Sequence, residues 1–559
     1  MERLSIDPRP PIHQGVDLNN FTVLQHTAIH DILLSHITPG TGNVYISINP
    51  YGTAPLSGYV GVWAVTTNPI QIHIIDDLGS IPIDYNYTPA LGANLIPLVG
   101  LSPGAANELH ITIPGVGTSS GFILTPPLPP TDAEIPPNPS SNRFTGFPVC
   151  EVTIESTDLP DIITELYFVA FARRYNVGLD CTGRVRWYTT LDIPSFNIER
   201  ISNGHFLSNS FDFDAHKLIY EYDLVGRVHK VYVLDNQSHH SIYQLPDENL
   251  LINSEFDGVT EEDGLSIIDF NTGLEIAYYD MRNVMDTNRP PVPRIISSLG
   301  IDWLHINQSY LNQSNNLLIT SGRHQGVFAV DVNTSELVFI LGNHQDWNAQ
   351  FNGYLLTPVD MTGTPLYDLS DPVDIDRADK EFWQWGQHAV IEVPNPVHGI
   401  VEFLLLDNGN FRSRDESKAI LPNDNYTRIV QYRVNISNMT VMKIFEYGQE
   451  IGSRGYSPFV SNGAILNNGN YFMNSGGIVF DENYRQRTID PGYGDIIDPL
   501  MGNMAQGRII IQEIDPVAKK PILEFTCTSG RFKSPNLDDP DFIQYDLYCF
   551  RAHKLPLLP

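Results

Sequence analysis

The chain has 559 residues, 18% of them charged, and a formal net charge of −32. That length exceeds one ordinary core and sets an expectation of roughly two to four domains, unless a large closed β architecture takes most of it. The acidic balance argues against nucleic acid or an anionic membrane as partner, and no apolar run approaches the ~20 residues of a membrane helix. The 42 Gly, 41 Pro, 26 Tyr and 26 Phe favour many short strands and many turns. The segment MERLSIDPRPP carries no apolar signal region, so a cytoplasmic protein is expected unless a leader was removed. Four cysteines (Cys150, Cys181, Cys527, Cys549) show no CxxC spacing. Four buried free thiols are the preferred reading, with a Cys527–Cys549 pair the alternative in an oxidising compartment.

In chain order, residues 1–124 alternate apolar and polar positions between turn clusters (NVYISINPYG, GYVGVWAV, IQIHII, ELHITI) and read as a small N-terminal β-sandwich. The Pro-rich stretch 125–142 reads as an extended linker. From 143 to 559 the chain repeats itself. Segments such as ISNGHFLSNS, LPDENLLINS, LNQSNNLLITS, NPVHGIVEFLLLDNG and LNNGNYFMNSGG are each followed by a second hairpin around a polar turn, as in DFNTG or DVNTS. A four-stranded meander recurring about every 45 residues is the signature of a β-propeller, here with about six blades. The expected fold is all-β: a six-bladed β-propeller with a small N-terminal β-sandwich. The last strand candidate, YDLYCFRAHKL, lacks a following hairpin and is expected to pair with the first blade. No sustained helical periodicity occurs; short helices are expected only in insertions, around MDTNRPPVPRIISSLG and DIDRADKEFW. The acidic run Asp371, Asp374, Asp376, Asp379 lacks an EF-hand glycine and reads as a solvated loop.

In a propeller the first strand of each repeat lines the central channel. His239 and His240 fall there in one repeat, His305 and Asn307 in the next, and His388 in the one after. Arg323 follows the second strand of the middle repeat, with Arg412 its counterpart one repeat later. His216, His229, His344 and His398 fall in outer hairpins or turns and read as surface residues. One strand histidine is more often packing than function. The same repeat position carrying histidine three times running shifts the balance toward a site. No G-x-S-x-G, HExxH or P-loop is present. Two chemistries stay open: a three-histidine metal centre, or a neutral imidazole nucleophile with cations gripping a transferred anionic group. A non-catalytic binding propeller is the third alternative.

The segments HHSI, WLHIN…YLNQSNNLLITSGRHQG, FILG…W followed by LLTPVD, Gln387–His388, LDNGNFR and YTRIVQYRV…VMKIFEYGQE…YSP, in that order, resemble those of the bacterial arylsulfate sulfotransferases that use no nucleotide sulfate donor. The resemblance implies a six-bladed propeller with a small N-terminal β-domain, a homodimer, and ping-pong transfer of a sulfuryl group between a phenolic sulfate and a phenol through a sulfohistidine. It implies no metal or diffusible cofactor. By the same resemblance His388 is the nucleophile. His305, Arg323 and one of His239 and His240 hold the sulfuryl group, and Asn307 binds or orients the substrate. Adjacent strand residues point to opposite faces, so only one of His239 and His240 reaches the axis. Periplasmic relatives carry a signal peptide and a disulfide in the loop before the nucleophile; the 361–387 loop here contains no cysteine. Trp303, Trp383 and Trp385 are candidates to stack on the phenol, with ordinary packing in the propeller an equally weighted reading.

Overall fold

The computed structural model describes residues 15–17, 20–40, 43–131, 147–154, 159–171, 175–191, 197–209, 217–254, 260, 262–292, 302–480, 506–528 and 547–558. The chain is all-β, with eight sheets among the described residues. Two belong to the N-terminal part. One holds Tyr45–Ile48, Ser57–Ala64 and Gly92–Val99; the other holds Ile83–Tyr87, Ile70–Asp76, Ala106–Ile113 and Gly117–Leu124. Alternation puts Ile70, Ile72 and Ile74 in the core beside Val60, Val62, Ile96 and Leu98, while Gln71 and His73 face outward.

A helix at Phe21–Ser35 precedes these sheets, where none is expected from the sequence. Its start is set by Asn20, whose side chain accepts from the amides of Thr22 and Val23 at 3.1 and 3.4 Å. The helix buries only His26 and Leu33, so its apolar residues form no clean stripe and the 3.6-residue period is absent. The Pro-rich segment begins by packing back, with the Pro126 carbonyl accepting from Gly104; residues 132–142 of the expected linker lie outside the described residues, as does His216.

The other six sheets are each built on an antiparallel meander of sequence-adjacent strands, and four of them gain an edge strand from elsewhere in the chain, one of these, Thr357–Val359, pairing in parallel with Thr440–Tyr447. The repeated polar turn has a common cause. Asp180, Asp223, Asp269, Asp331 and Asp515 each fold the Oδ1 oxygen back onto backbone amides two to four residues on. These Asx turns close the outer hairpin of their sheets. First strands of successive sheets lie side by side: Ser238–Gln244 against Ile306–Asn312, and that against His388–Glu392.

The last strand, Cys549–Pro556, pairs with Glu165–Phe171 of the first sheet, as expected. Reciprocally, Val149–Ile154, the strand before that first sheet, completes the last one by pairing with Lys520–Thr528. This joint decides the cysteine question. All four are free; Cys150 and Cys181 are half-buried and Cys527 and Cys549 buried. Cys527 faces Cys150 in register, not Cys549, whose thiol donates to the Arg551 carbonyl at 3.0 Å.

The acidic run is not a solvated loop but takes up the short helix expected around DIDRADKEFW. Pro372–Glu381 is a helix capped by Asp371, which accepts from Val373, with Pro372 in its first turn. Asp379 is buried and accepts from the Asn343 side chain. Burial pushes its carboxyl up to about 7.

Candidate functional site

Three adjacent first strands carry the predicted histidines, and each is irregular at that point. Register slips between Ser238 and Ile242, between Ile306 and Gln308, and between His388 and Ile391. His240, His305 and Ala389 take φ of +49°, +55° and +54°. Such bulges and left-handed residues cost energy, and they re-aim side chains. Here they turn three imidazoles toward one another. One ring nitrogen each of His240, His305 and His388 lies within 4.8 Å of the others. Ring centroids are 5.0 Å apart for His240–His305, 6.1 Å for His240–His388 and 6.4 Å for His305–His388.

The choice between His239 and His240 falls to His240. The His239 Nδ1 lies 3.1 Å from the His240 Nδ1 and 4.0 Å from Glu262, behind the cluster. It is the left-handed backbone at His240 that swings the second imidazole inward.

His388 is buried and its tautomer is fixed by its neighbours. The Nδ1 is 2.7 Å from the Asn408 Oδ1 and 3.1 Å from the Gly386 carbonyl. Asn408 donates through Nδ2 to the carbonyls of Ser457 and Val460 at 2.8 and 3.2 Å. Its Oδ1 must therefore accept, so His388 Nδ1 carries the proton and Nε2 keeps its lone pair. Burial, then Arg323 and His305, hold the imidazole well below its ordinary pKa, so it is neutral. Burial and the neighbouring histidines do the same for His240.

His305 is the opposite case. Its Nδ1 donates to Asp302 at 2.8 Å and to Glu262 at 2.9 Å. Burial opposes protonation, but the two carboxylates outweigh it and push the pKa up to about 10. The site thus holds a neutral imidazole and an imidazolium side by side. His324 backs this pair with Nε2 3.3 Å from Asp302.

Arg323 is buried, donates to the Pro458 carbonyl at 3.0 Å, and is hydrogen-bonded through its amide to the His305 carbonyl. Asn307 is fully buried and donates through Nδ2 to the Gln387 carbonyl at 2.6 Å, so it holds the backbone just before His388. Its own carbonyl accepts from Arg551 at 3.1 Å. Arg551, on the last strand, also donates to Ser461 at 2.8 Å and acts electrostatically on His240 and His388. The Phe550 ring sits 6.0 Å from His240.

Asn408, Arg551, Glu262, Asp302 and His324 are missing from the sequence-derived set. Asn408 stands in the LDNG segment and Asp302 three residues before His305, so both had a local signal. Arg551 and Glu262 had none, because only the closing strand and the loop between sheet strands bring them in.

Arg412 does not repeat Arg323. It is fully buried in an ion pair with Asp407 at 2.9 Å and donates to Asn425 and Tyr426. Asp407 also accepts from Arg428 at 2.8 Å and from the amides of Trp385 and Gly409. This network frames His388 and Asn408. Replacing Asp407 with Ala strands two buried guanidinium groups and should cost about 3–5 kcal/mol; a denaturant titration checks this, and the loss should be far smaller for Asp415→Ala, an exposed turn residue.

The three tryptophans are core, not mouth. Trp303, Trp383 and Trp385 are 2, 1 and 7% exposed, and the Trp385 Nε1 donates to the Asp379 carbonyl at 2.7 Å. Large apolar rings between sheets are buried first by the hydrophobic effect. Two histidines expected at the surface are half-buried: His344 donates toward the Leu356 carbonyl at 2.9 Å and packs on Trp383, and His229 pairs with Asp223. His398 is exposed as expected.

These features define a β-sheet protein with a buried centre of neutral imidazoles, an imidazolium and two guanidinium groups. The family profile described as Arylsulfotransferase (ASST) matches residues 151–535, and the one described as Arylsulfotransferase Ig-like domain matches residues 45–125. The chain belongs to the arylsulfotransferase family. It is similar to the arylsulfate sulfotransferase AssT of Lelliottia amnigena, 29% identical over 160 residues, and to that of Escherichia coli, 28% identical over 162 residues. Each match covers 29% of this chain and 25% of the relative, so the aligned part spans about a quarter of those proteins. Among solved structures, BamB from Moraxella catarrhalis aligns with 63% of this chain and 76% of its own at 12% identity and a TM-score of 0.25, a likeness too slight to bear on the fold.

Proposed function

We propose that the chain transfers a sulfuryl group from a phenolic sulfate to a phenolic acceptor by a ping-pong route through a sulfohistidine at His388, with no nucleotide donor. The carrying observation is the His388 tautomer: Nδ1–H tied to Asn408 and an unprotonated Nε2 among cations. The Nε2 lone pair attacks sulfur in line as the sulfur–oxygen bond to the aryl group breaks. The leaving phenolate takes a proton from His305, whose pKa near 10 matches that of a phenol. In the second half the acceptor phenol returns that proton to His305 while its oxygen takes the sulfuryl group, and Nε2 regains its lone pair. Arg323, His240 and Arg551 supply positive or donor groups for the sulfuryl oxygens, where charge is spread in a loose transition state. Asn307, whose Oδ1 makes no hydrogen bond among the described residues, orients the nucleophile strand and offers an acceptor to substrate.

The six meanders, the adjacency of their first strands and the reciprocal first–last pairing support a six-bladed β-propeller at 143–559, joined by the 125–142 linker to a β-sandwich at 1–124. A homodimer follows from the family resemblance alone and is read out by light scattering.

The test is release of phenol from a chromogenic aryl sulfate. Release should depend on added phenol and be indifferent to chelator. The three imidazole nitrogens within 4.8 Å favour a second reading, a metal centre; activity lost to chelator and restored by zinc would select it. A pH profile separates them further. His305 is raised above its unfolded value, so its acid form persists through neutral pH and is lost as pH rises through about 10. Single-turnover phenol release should be flat from pH 6.5 upward and fall near 10, and Glu262→Gln should move that limb downward by about one unit or more. An unmoved limb would remove His305 as the acid.

A further inference from the structure

A second cluster of metal-ligating side chains lies on the second meander, the one before the His240 strand, and nothing in the sulfuryl-transfer reading uses it. His205 precedes the strand Phe206–Asn209, Asp223 follows Leu218–Tyr222, and His229 lies in Val228–Val233. These strands are neighbours in that order. The register pairs Glu221 with Lys230 and Tyr222 with Val228, leaving His229 as the extra, bulged residue. A bulge aims such a side chain off the regular pleat, and here it brings the His229 imidazole over Asp223.

The result is compact. The His205 and His229 rings stack with centroids 3.9 Å apart and planes at 19°. The His229 Nε2 is 2.9 Å from the Asp223 Oδ2. One donor atom from each of His205, His229 and Asp223 lies within 4.8 Å of the others. Asp223 is held for this use: its Oδ1 is taken by the Asx turn to Val225 and Arg227, which fixes where Oδ2 sits. Behind His205, Glu221 accepts from Nδ1 at 2.6 Å, and Asn203 and Tyr232 donate to that same carboxylate. A carboxylate gripping the far nitrogen of an imidazole is what fixes the tautomer of a metal-bound histidine. Glu221 also balances Lys230, 3.8 Å away. The histidine side chains are 24 and 22% exposed, so an ion has a way in.

We propose that His205, Asp223 and His229 bind one divalent ion of the zinc class. Two imidazoles and a carboxylate are a borderline-soft set suited to Zn(II), Co(II) or Ni(II) rather than to Ca(II) or Mg(II). On binding, the ion takes the place of the proton between His229 Nε2 and Asp223 Oδ2. In the neutral ring that proton moves to Nδ1; from the imidazolium it goes to solvent. Water completes the coordination. The site lies at a seam: Tyr59 of the N-terminal sheets donates to Asp223 Oδ2 at 3.2 Å, and His26 of the helix accepts from Val228, next to His229. A bound ion therefore fixes Asp223, the residue through which Tyr59 holds the second meander.

The test uses the full chain, stripped with chelator and titrated calorimetrically with zinc chloride. One ion per chain is expected at micromolar or tighter affinity, together with a rise in the thermal midpoint. His229→Ala and the milder His205→Gln should each weaken binding by about tenfold or more and abolish the thermal shift, whereas His388→Ala keeps both. With cobalt chloride, the visible absorption of a four-coordinate Co(II) ion should appear in the parent and vanish in His205→Gln. Absence of stoichiometric binding overturns the proposal. So does unchanged affinity in His229→Ala and His205→Gln, or loss of the ion in His388→Ala, which would assign it to the histidine centre instead.

Discussion

Replacing His388 with Ala should lower aryl sulfate turnover by about 10⁴-fold or more and remove the covalent adduct together with it. The expectation rests on a single atom. Nε2 of His388 is tied by its partners to the unprotonated state, because Asn408 accepts from Nδ1 and is itself held by two carbonyls. His240 is also neutral, so it is the natural rival as nucleophile. The measurement is a rapid quench of enzyme with donor and no acceptor, followed by mass spectrometry of the peptide containing His388. A mass gain of one SO₃ there, absent in His388→Ala, is the expected result. A gain on the peptide containing His240 would move the nucleophile two sheets back, and turnover of His388→Ala within about tenfold of the parent would remove His388 from the role.

The second large effect is expected at a residue that touches no substrate. Asn408→Ala removes the acceptor that orients His388 and takes a donor from the Ser457 and Val460 carbonyls, the first of which keeps the Thr427 hydroxyl. We expect kcat to fall by about 10²–10³-fold with KM little changed, and stability to drop by about 1–3 kcal/mol for the unsatisfied buried groups. Both polar atoms of the Asn408 amide are taken by protein partners, Oδ1 by His388 and Nδ2 by Ser457 and Val460, so the loss of kcat is expected through His388 rather than through lost substrate contact. A rise in KM with kcat intact would mean that Asn408 acts on binding, not on the tautomer. Single-turnover rates at saturating donor, with a denaturant titration of the same variant, separate the two.

How much of this was legible beforehand depends on the range of the interaction involved. The repeating meander is written locally, in Asp turns such as DFNTG and in alternating strands, and it could be read directly. So could the three histidines, because repetition marks the first strand of each unit. What failed was whatever needs a second element to be in place. His239 and His240 are indistinguishable by alternation, since the bulge that decides between them is a backbone feature. Arg412 looked like Arg323 because both follow a second strand; only its pairing with Asp407, shared with Arg428 on the next strand, reveals it as part of a buried ion network. The tryptophans stay ambiguous in the sequence for the reverse reason, as aromatic rings suit both a ligand and a core, and the structure gives them to the core. The Phe21–Ser35 helix was missed because burial of two residues leaves almost no periodic trace.

The exchanged edge strands have a consequence in time. Val149–Ile154 waits for Lys520–Thr528, and Glu165–Phe171 waits for Cys549–Pro556. A chain emerging from the ribosome at ~5–20 residues per second therefore makes the strands carrying His240, His305 and His388 well before the first and last sheets can be finished. Arg551 comes with the final strand. The imidazoles are translated early, but their charge environment is completed only by the closing strand. Nascent chains stopped short of it carry His388 without the full set of cations around it, so the charge environment of the centre arrives late and all at once.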